Sequence, residues 1–259
     1  MAARNLGQSI VEIQTSSPSA GSPSIPLILF HDGGGTIYQY FLLQSISRQV
    51  YGVQNPYFES GKTWASLKDM ARSYVECIKT SVAPGPVILG GWSFGGHLSL
   101  EVAYMLREDD SGHEVIGMVF IDTSFPVRST DKQLSYHKIP FHPSVPIRRR
   151  VMAQRCMDEA VTLLNRWQPP TWYKFGTHDQ QNVMPPATVL LRAKDKSSLS
   201  EFEDPKLGWG RYDHDFIQSV IHIDGNHFNL FEGPRIMTVC LQLQVACNEI
   251  EASYKSKFC

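Results

Sequence analysis

One pentapeptide combines residue types and spacing that suit nucleophilic catalysis. The segment GWSFG at 91–95 follows the apolar run PVILG and precedes a stretch with helical periodicity. In a G-x-S-x-G turn between a strand and a helix, a strained bend presents the serine hydroxyl. Residues without a Cβ atom permit the close approach of the chain on either side. This placement predicts Ser93 as a nucleophile, whereas the simpler alternative is a glycine-rich turn.

A serine hydroxyl is a weak nucleophile at neutral pH, so the chemistry requires a general base that a carboxylate orients. The sequence contains nine histidines, and any one of them could be a surface or core residue instead. His227 lies in DGNHF, after the last apolar run, where a loop could bring it to the serine. It is the predicted base, and the competitors are His31, His214 and His222.

Two aspartates could orient this base, since each follows an apolar run that is expected to form a strand. Asp122 follows VIGMVFI and Asp195 ends ATVLLRAKD, and geometry inferred from the sequence does not choose between them. An oxyanion hole would use the amide after the nucleophile, Phe94, and one from the loop HDGGGT at 31–36, most simply Gly33. The triple glycine lacks the spacing and the lysine of a phosphate-binding loop, which disfavours a nucleotide site.

Short β-branched runs alternate with longer segments of helical period, which is the pattern of a mostly parallel sheet with helices on both faces. An edge strand is expected at about 9–14, and six further strands are expected at 25–30, 50–54, 86–91, 115–121, 187–193 and 220–223. Apolar residues three and four apart mark four helical faces: Tyr38, Phe41, Leu42 and Ile46; Leu67, Met70, Ala71, Tyr74 and Ile78; Leu98, Val102 and Met105; and Ile236, Cys240, Leu243, Cys247 and Ile250. These elements predict one α/β domain that spans residues 1–259.

A proline-rich stretch at about 126–186 interrupts this alternation, since it holds eight of the 16 prolines. One helix is expected inside it at 147–167, with an apolar face formed by Met152, Cys156, Ala160, Leu163 and Trp167. A helix between two proline-rich arms favours a lid over the carboxyl edge of the sheet, although an ordinary surface excursion would show the same pattern. Aromatic residues could line a substrate pocket or pack the lid onto the body. The candidates for contact with substrate are Trp167, Trp172 and Tyr38.

The composition argues against several classes of partner. A net charge of −1 gives no field that would gather nucleic acid or anionic lipid, so neither is expected as a partner. No apolar run approaches the ~20 residues that span a bilayer. The five cysteines lack both a disulfide framework and the two-residue spacing of zinc sites. Reduced thiols, no metal and a cytoplasmic location are therefore expected.

Five segments together resemble the thioesterase domains that end fungal polyketide synthases and, more distantly, those of nonribosomal peptide synthetases and fatty acid synthase. They are LILFHDGGGT at 27–36, VYGVQNPYF at 50–58, PVILGGWSFGGHLSLEVA at 86–103, VFIDTSFP at 119–126 and DGNHFNLFE at 224–232. The resemblance implies an α/β-hydrolase fold. It also implies that the acid follows the strand after the elbow helix, which favours Asp122 over Asp195.

The resemblance further implies a substrate of polyketide type, held as a thioester on the phosphopantetheine arm of an acyl carrier protein, with no cofactor on the enzyme itself. Ser93 would take the acyl group, and water, an internal hydroxyl or carbon nucleophile, or an external alcohol or amine would release it. The run Arg148 to Arg150 could receive an acidic carrier helix or simply begin a solvated helix. A general carboxylesterase and a non-catalytic binding protein of the same fold are the alternatives.

Overall fold

A seven-stranded sheet forms the centre of the computed structural model, which describes residues 9–15, 24–126, 141, 143–172, 183–196 and 203–257. Its strands are β1 (Ile10–Gln14), β2 (Leu27–Phe30), β3 (Val50–Val53), β4 (Gly85–Trp92), β5 (His113–Ile121), β6 (Thr188–Ala193) and β7 (Ile217–Ile223). They lie in the order β1-β3-β2-β4-β5-β6-β7, with β1 antiparallel to β3 and the other neighbouring pairs parallel. The seven predicted strands are confirmed, including β1 at the edge.

Helices cover both faces of this sheet, as the alternating elements predict. The described helices are α1 (Leu67–Ser81), α2 (Phe94–Arg107), α3 (Ile147–Arg166) and α4 (Arg235–Lys255). The side chains of β2 show why its sequence is continuously apolar. Ile28 and Phe30 pack in the cluster that contains α1 and α2, whereas Leu27 and Leu29 pack in the cluster that contains α4. Burial on both faces leaves this strand no polar position.

Helix α3 lies within the proline-rich stretch, close to the loop that follows β2. Trp167 caps the carboxyl end of this helix. The buried side chains of the helix are the predicted ones, namely Met152, Cys156, Ala160 and Leu163. Cys156 and Met157 lie against glycines 35 and 33 of the loop. The lid assigned to 126–186 stays a prediction, since residues 127–140, 142 and 173–182 lie outside the described part of the chain.

The amphipathic helix predicted for residues 38–46 is wrong. The structure has a single 3₁₀ turn at Tyr38–Leu42, and the side chains that are more than half exposed there are Tyr38, Phe41 and Leu42. The inward side chain is Tyr40, whose hydroxyl donates to the Phe30 carbonyl at 2.7 Å and accepts the Trp92 backbone N–H at 2.9 Å. These bonds join the ends of β2 and β4, and they fix the segment as a short turn.

Four of the five cysteines lie in the described part of the chain. Cys77, Cys156, Cys240 and Cys247 are buried free thiols. Among the described residues, no group of three or more His, Cys, Asp or Glu side chains is placed to hold a metal ion. None of the helices described here has the length and apolar character needed to cross a membrane.

Candidate active site

The predicted nucleophile lies on a sharp bend between β4 and α2. Ser93 has backbone angles of φ +55° and ψ −114°, outside the regions that most side chains adopt. Its backbone N–H donates to the Ile121 carbonyl at 2.9 Å, which ties the bend to the end of β5. A Cβ atom would lie 2.7 Å from Gly95 Cα if added to Gly91, and 2.5 Å from the Phe30 carbonyl oxygen if added to Gly95. Both flanking glycines are therefore required by close backbone contact.

Three side chains from distant parts of the chain form a hydrogen-bonded line at this edge of the sheet. The Ser93 hydroxyl oxygen lies 3.0 Å from His227 Nε2, and His227 Nδ1 lies 2.8 Å from Asp122 Oδ2. Because an ionised carboxylate only accepts hydrogen bonds, the Nδ1 proton points to Asp122 and the Nε2 lone pair faces Ser93. The arrangement can therefore move a proton from the serine to the histidine.

Asp122 is held in position by the backbone of the neighbouring strand. It follows β5 in a left-handed conformation, with φ +47°, and its N–H donates to the Leu191 carbonyl at 2.7 Å. Its second carboxylate oxygen, Oδ1, accepts the Ala193 N–H at 2.9 Å. Asp195, the alternative acid, is exposed two residues beyond the end of β6. The structure thus brings Asp122 to His227 and leaves the Asp195 side chain in solvent.

The competing histidines have other surroundings. His31 is buried, and its Nε2 lies 2.6 Å from a buried tyrosine hydroxyl. Burial lowers the pKa of His31 to about 4, so this ring is neutral. His214 is buried in the core, while His222 is exposed on β7. Among these four histidines, His227 is the one whose ring lies within hydrogen-bonding distance of the Ser93 hydroxyl.

The two predicted oxyanion donors lie just beyond the ends of two paired strands. β2 and β4 pair in parallel with Phe30 opposite Gly91, so Gly33 and Phe94, each three residues further on, lie at the same edge. Phe94 is the first residue of α2, and the first N–H groups of a helix have no partner within that helix. Gly33 lies beneath α3, where an added Cβ atom would be 2.6 Å from Met157 Sδ. Both residues therefore lie at the edge that carries the nucleophile.

Two tryptophans that were predicted to contact substrate are buried. The Trp167 indole N–H donates to Glu101 Oε2 at 2.6 Å. Trp172 is 1% exposed and packs edge-on against Tyr104, with ring centroids 5.3 Å apart. Tyr104 is 11 residues after Ser93 in the sequence, which places it about 16 Å away along α2. The prediction that Trp172 lines a substrate pocket is wrong, because its ring is sealed in the core at the far end of α2.

Tyr38, the third residue predicted to contact substrate, lies on an exposed apolar surface. Its ring centroid is 5.3 Å from the Arg149 guanidinium, which joins the 3₁₀ turn to the start of α3. The Gln44 N–H donates to Cys240 Sγ at 3.2 Å and joins the following loop to α4. Eight large apolar side chains are exposed in the described residues, and seven of them lie on the 3₁₀ turn, on α3 or on α4. We call them the apolar rim: Tyr38, Phe41, Leu42, Ile147, Val151, Met237 and Leu241.

Two side chains near the glycine loop are functional candidates that the motif spacing does not reveal. Asp32 is buried, and its Oδ1 accepts the Gly34 N–H at 2.9 Å. Burial raises the pKa of Asp32 to about 6, although this hydrogen bond and the charge of His227 oppose the rise. Burial also raises the pKa of the Tyr40 phenol, which therefore keeps its proton. Asp32 follows a buried strand at the carboxyl edge, the same signal that singles out Asp122.

A mostly parallel sheet, helices on both faces and a serine bend between a strand and a helix together define an α/β-hydrolase fold. The thioesterase domain family matches residues 25–142. Thioesterase AMT4 of Alternaria alternata is 38% identical over 234 residues, which cover 89% of this chain and 87% of AMT4. The chain therefore belongs to the thioesterase family, as the motif segments predict.

Two further proteins show how widely this domain is shared. Part of the nonribosomal peptide synthetase imqB of Aspergillus flavus is 31% identical over 266 residues, which cover 90% of this chain and 8% of imqB. The crystal structure of the NocB thioesterase domain from the nocardicin cluster matches with a TM-score of 0.67 and 22% identity, covering 93% of this chain and 99% of that domain. The structural match confirms the predicted fold.

Proposed function

We propose that the protein releases an acyl chain from the phosphopantetheine thioester of a carrier protein through an acyl-serine intermediate. The observation that carries this proposal is the hydrogen-bonded line from Ser93 through His227 to Asp122. Membership of the thioesterase family supports a thioester as the bond that is broken. In this proposal the three residues form a catalytic triad.

In the first half of the reaction, Ser93 Oγ attacks the thioester carbonyl carbon while His227 Nε2 takes the hydroxyl proton. The carbonyl oxygen becomes an oxyanion that accepts hydrogen bonds from the Phe94 and Gly33 amides. The carbon–sulfur bond then breaks, and the carrier thiol leaves with the proton from His227. Asp122 orients the imidazole and stabilises its charged form throughout.

In the second half, a new nucleophile gives its proton to His227 and attacks the acyl-serine carbonyl. The ester bond breaks, and Ser93 Oγ recovers the proton. Water yields a free acid, an internal hydroxyl yields a lactone, an internal carbon nucleophile yields a ring by Claisen condensation, and an external alcohol or amine yields an intermolecular product. Because Met157 of α3 lies over Gly33, we propose that α3 acts as the lid that limits access of water.

The acyl chain in this proposal is of polyketide type, and the partner is an acyl carrier protein of a polyketide synthase. The motif segments support this choice, since they resemble polyketide synthase thioesterases. The match to imqB, a nonribosomal peptide synthetase, makes a peptidyl chain the second candidate. The enzyme needs no cofactor of its own here, because the phosphopantetheine belongs to the carrier. A cytoplasmic location is consistent with the free thiols of the described cysteines.

The apolar rim is the proposed docking surface for the carrier protein. Exposed apolar residues that cluster on one surface mark interaction sites. Two residues of this cluster lie on α3, the helix whose Met157 lies against Gly33 of the glycine loop. Arg148 is exposed beside this cluster and pairs with Glu59 at 3.2 Å, while Arg149 lies over the Tyr38 ring. Arg150 instead donates to the Val145 carbonyl at the start of α3. Two arginines thus remain at the surface to attract an acidic carrier helix.

Covalent labelling tests the catalytic part of the proposal. The protein is incubated with a fluorophosphonate probe and, separately, with N-acetylcysteamine thioesters of β-ketoacyl chains, and adducts are located by mass spectrometry. Ser93→Ala is expected to lose both adducts and to keep its melting temperature, because the hydroxyl contributes little to packing. Ser253→Ala, on the exposed side of α4, is the matched control and keeps both adducts.

Each other outcome contradicts a stated part of the proposal. Loading of Ser93→Ala at the wild-type rate would assign the nucleophile to another residue. Faster turnover of simple oxygen esters than of the matched thioesters would favour a carboxylesterase. A wild-type protein that neither reagent labels would be a non-catalytic member of the fold.

A further inference from the structure

His31 is a buried histidine in the loop that follows β2, and the mechanism described so far does not use it. Its Nδ1 atom lies 2.6 Å from the main-chain carbonyl oxygen of Asp32. That carbonyl belongs to the peptide group that carries the Gly33 N–H. The His31 ring also packs against the ring of Phe94, with centroids 5.9 Å apart. One histidine therefore contacts the peptide group of one proposed oxyanion donor and the side chain of the other.

The hydrogen bonds of His31 define which ring nitrogen carries the proton. A carbonyl oxygen only accepts, so the proton is on Nδ1. Burial lowers the pKa of His31 to about 4, so the neutral ring has one proton and Nε2 is an acceptor. The hydroxyl of Tyr74, on α1, lies 2.6 Å from Nε2 and donates to it. Burial raises the pKa of the Tyr74 phenol, which keeps this proton. A chain of two hydrogen bonds thus runs from α1 through the His31 ring to the Asp32 carbonyl.

This chain of hydrogen bonds fixes the direction of the Gly33 N–H. The peptide bond between Asp32 and Gly33 is trans, so its C=O and N–H groups point in opposite directions. The Asp32 carbonyl oxygen also accepts the Gly35 N–H at 3.0 Å. Gly33 is buried, and its own N–H has no hydrogen-bond acceptor among the described residues. Because buried backbone donors are nearly always paired, this N–H is available for an oxygen of the substrate.

We propose that His31 and Tyr74 are positioning residues for the oxyanion. The Tyr74 hydroxyl selects the tautomer of His31, and His31 Nδ1 holds the peptide group that presents the Gly33 N–H. Such a device is needed because glycine permits both orientations of the peptide group before it. The inference rests on the proposed function, since it requires an oxyanion at Gly33. A donor that is already oriented stabilises the oxyanion without reorganisation, so its loss lowers kcat and leaves KM nearly unchanged.

Two substitutions of His31 test this role, because each keeps one of the two ring nitrogen positions. His31→Asn places an amide nitrogen close to the position of Nδ1, where it can donate to the Asp32 carbonyl. His31→Gln places one close to the position of Nε2 and loses that bond. Both variants lose the ring, so they lose similar packing. With an acyl N-acetylcysteamine thioester, we expect kcat to fall roughly 100-fold in His31→Gln and only about tenfold in His31→Asn. KM should change less than about threefold in both variants.

Tyr74→Phe is the milder variant, because it removes the hydroxyl and keeps the ring. Its kcat should fall roughly threefold to tenfold at unchanged KM, since the tautomer of His31 is no longer selected. Tyr212→Phe is the matched control. It removes another partly buried phenol hydroxyl, which accepts the Trp172 indole N–H at 3.0 Å in the core. Its kcat should stay within about twofold of wild type, even where its melting temperature falls.

Nitrogen NMR of the wild-type protein tests the same inference without any variant, should the His31 variants not fold. A protonated Nδ1 and an unprotonated Nε2 are expected for His31, and the reverse tautomer would overturn the proposal. Equal kcat values in His31→Asn and His31→Gln would also overturn it, because only the packing of the ring would then matter. A wild-type protein that neither turns over thioesters nor reacts with fluorophosphonate would instead refute the proposed function.

Discussion

Replacement of Asp122 by asparagine should remove most of the activity by changing the tautomer of His227. Asp122 accepts two hydrogen bonds, one from His227 Nδ1 and one from the Ala193 N–H. An asparagine side chain has a single oxygen, so it cannot accept both. If that oxygen stays on the Ala193 N–H, the amide NH₂ faces Nδ1 and forces the ring proton onto Nε2. His227 then presents a donor to Ser93 and cannot take its proton.

The surroundings of Asp122 decide which amide orientation prevails. The opposite orientation places the NH₂ group against the buried Ala193 N–H and leaves that donor unsatisfied, at a cost of about 1–3 kcal/mol. The inactive tautomer is therefore favoured by a factor of roughly 5 to 150. Molecules in the active orientation also lack the charge that stabilises the imidazolium. Together these effects give an expected loss in kcat of about 10³ to 10⁴, similar to the loss for the same substitution in a serine protease.

The assay is steady-state hydrolysis of an acyl N-acetylcysteamine thioester, with melting temperatures recorded for every variant. Asp195→Asn is the matched control, because it removes a carboxylate that is exposed near the same edge of the sheet. We expect this control to lose less than tenfold in kcat. A greater loss in Asp195→Asn than in Asp122→Asn would refute the assignment of the acid. A loss below tenfold in both would refute the tautomer argument.

Two further predictions concern the core and the docking surface. Trp172→Ala should destabilise the protein by about 3–5 kcal/mol. Calorimetry should then show a melting temperature lower by roughly 6–20 °C, because the ring is buried. The product ratios should not change. Altered products at wild-type stability would show that Trp172 lines the substrate pocket. The double variant Arg148→Glu and Arg149→Glu should lower kcat/KM for both substrates to different extents. The loss for a carrier-bound acyl chain should exceed the loss for the small thioester by more than tenfold. Equal effects on both substrates would contradict docking at the apolar rim.

The strands could be predicted from the sequence because each core strand is buried on both faces. Ile28 and Phe30 contact one layer of helices while Leu27 and Leu29 contact the other, so the pattern is continuous and unambiguous. The short segment at 38–46 differs, because its apolar spacing matches a helix but its conformation is set by a distant partner. The Tyr40 hydroxyl bridges the ends of β2 and β4. The local spacing of apolar residues cannot predict that contact, because its partners are distant in the sequence.

The nucleophile could be predicted because its bend and both required glycines are contiguous in the sequence. The acid could not be chosen by geometry, since the choice depends on the bend at Asp122 and on the Ala193 N–H of a strand some 70 residues away. The surroundings of the two tryptophans could not be predicted from the local sequence either. Whether a large ring lines a pocket or fills a core depends on partners such as Glu101 and Tyr104, which lie far from it in the sequence.

The register of the parallel strands explains how such distant residues meet within hydrogen-bonding distance. Trp92 lies opposite Ile121, so the next residues, Ser93 and Asp122, emerge side by side. A shift of one residue would move either of them by about 3.3 Å, enough to break the contact with His227. The irregularities in β4–β5 and in β6–β7 both lie toward the amino ends of the strands. Because an extra residue there is absorbed before the strands reach their carboxyl ends, the regular pairing at the site is retained.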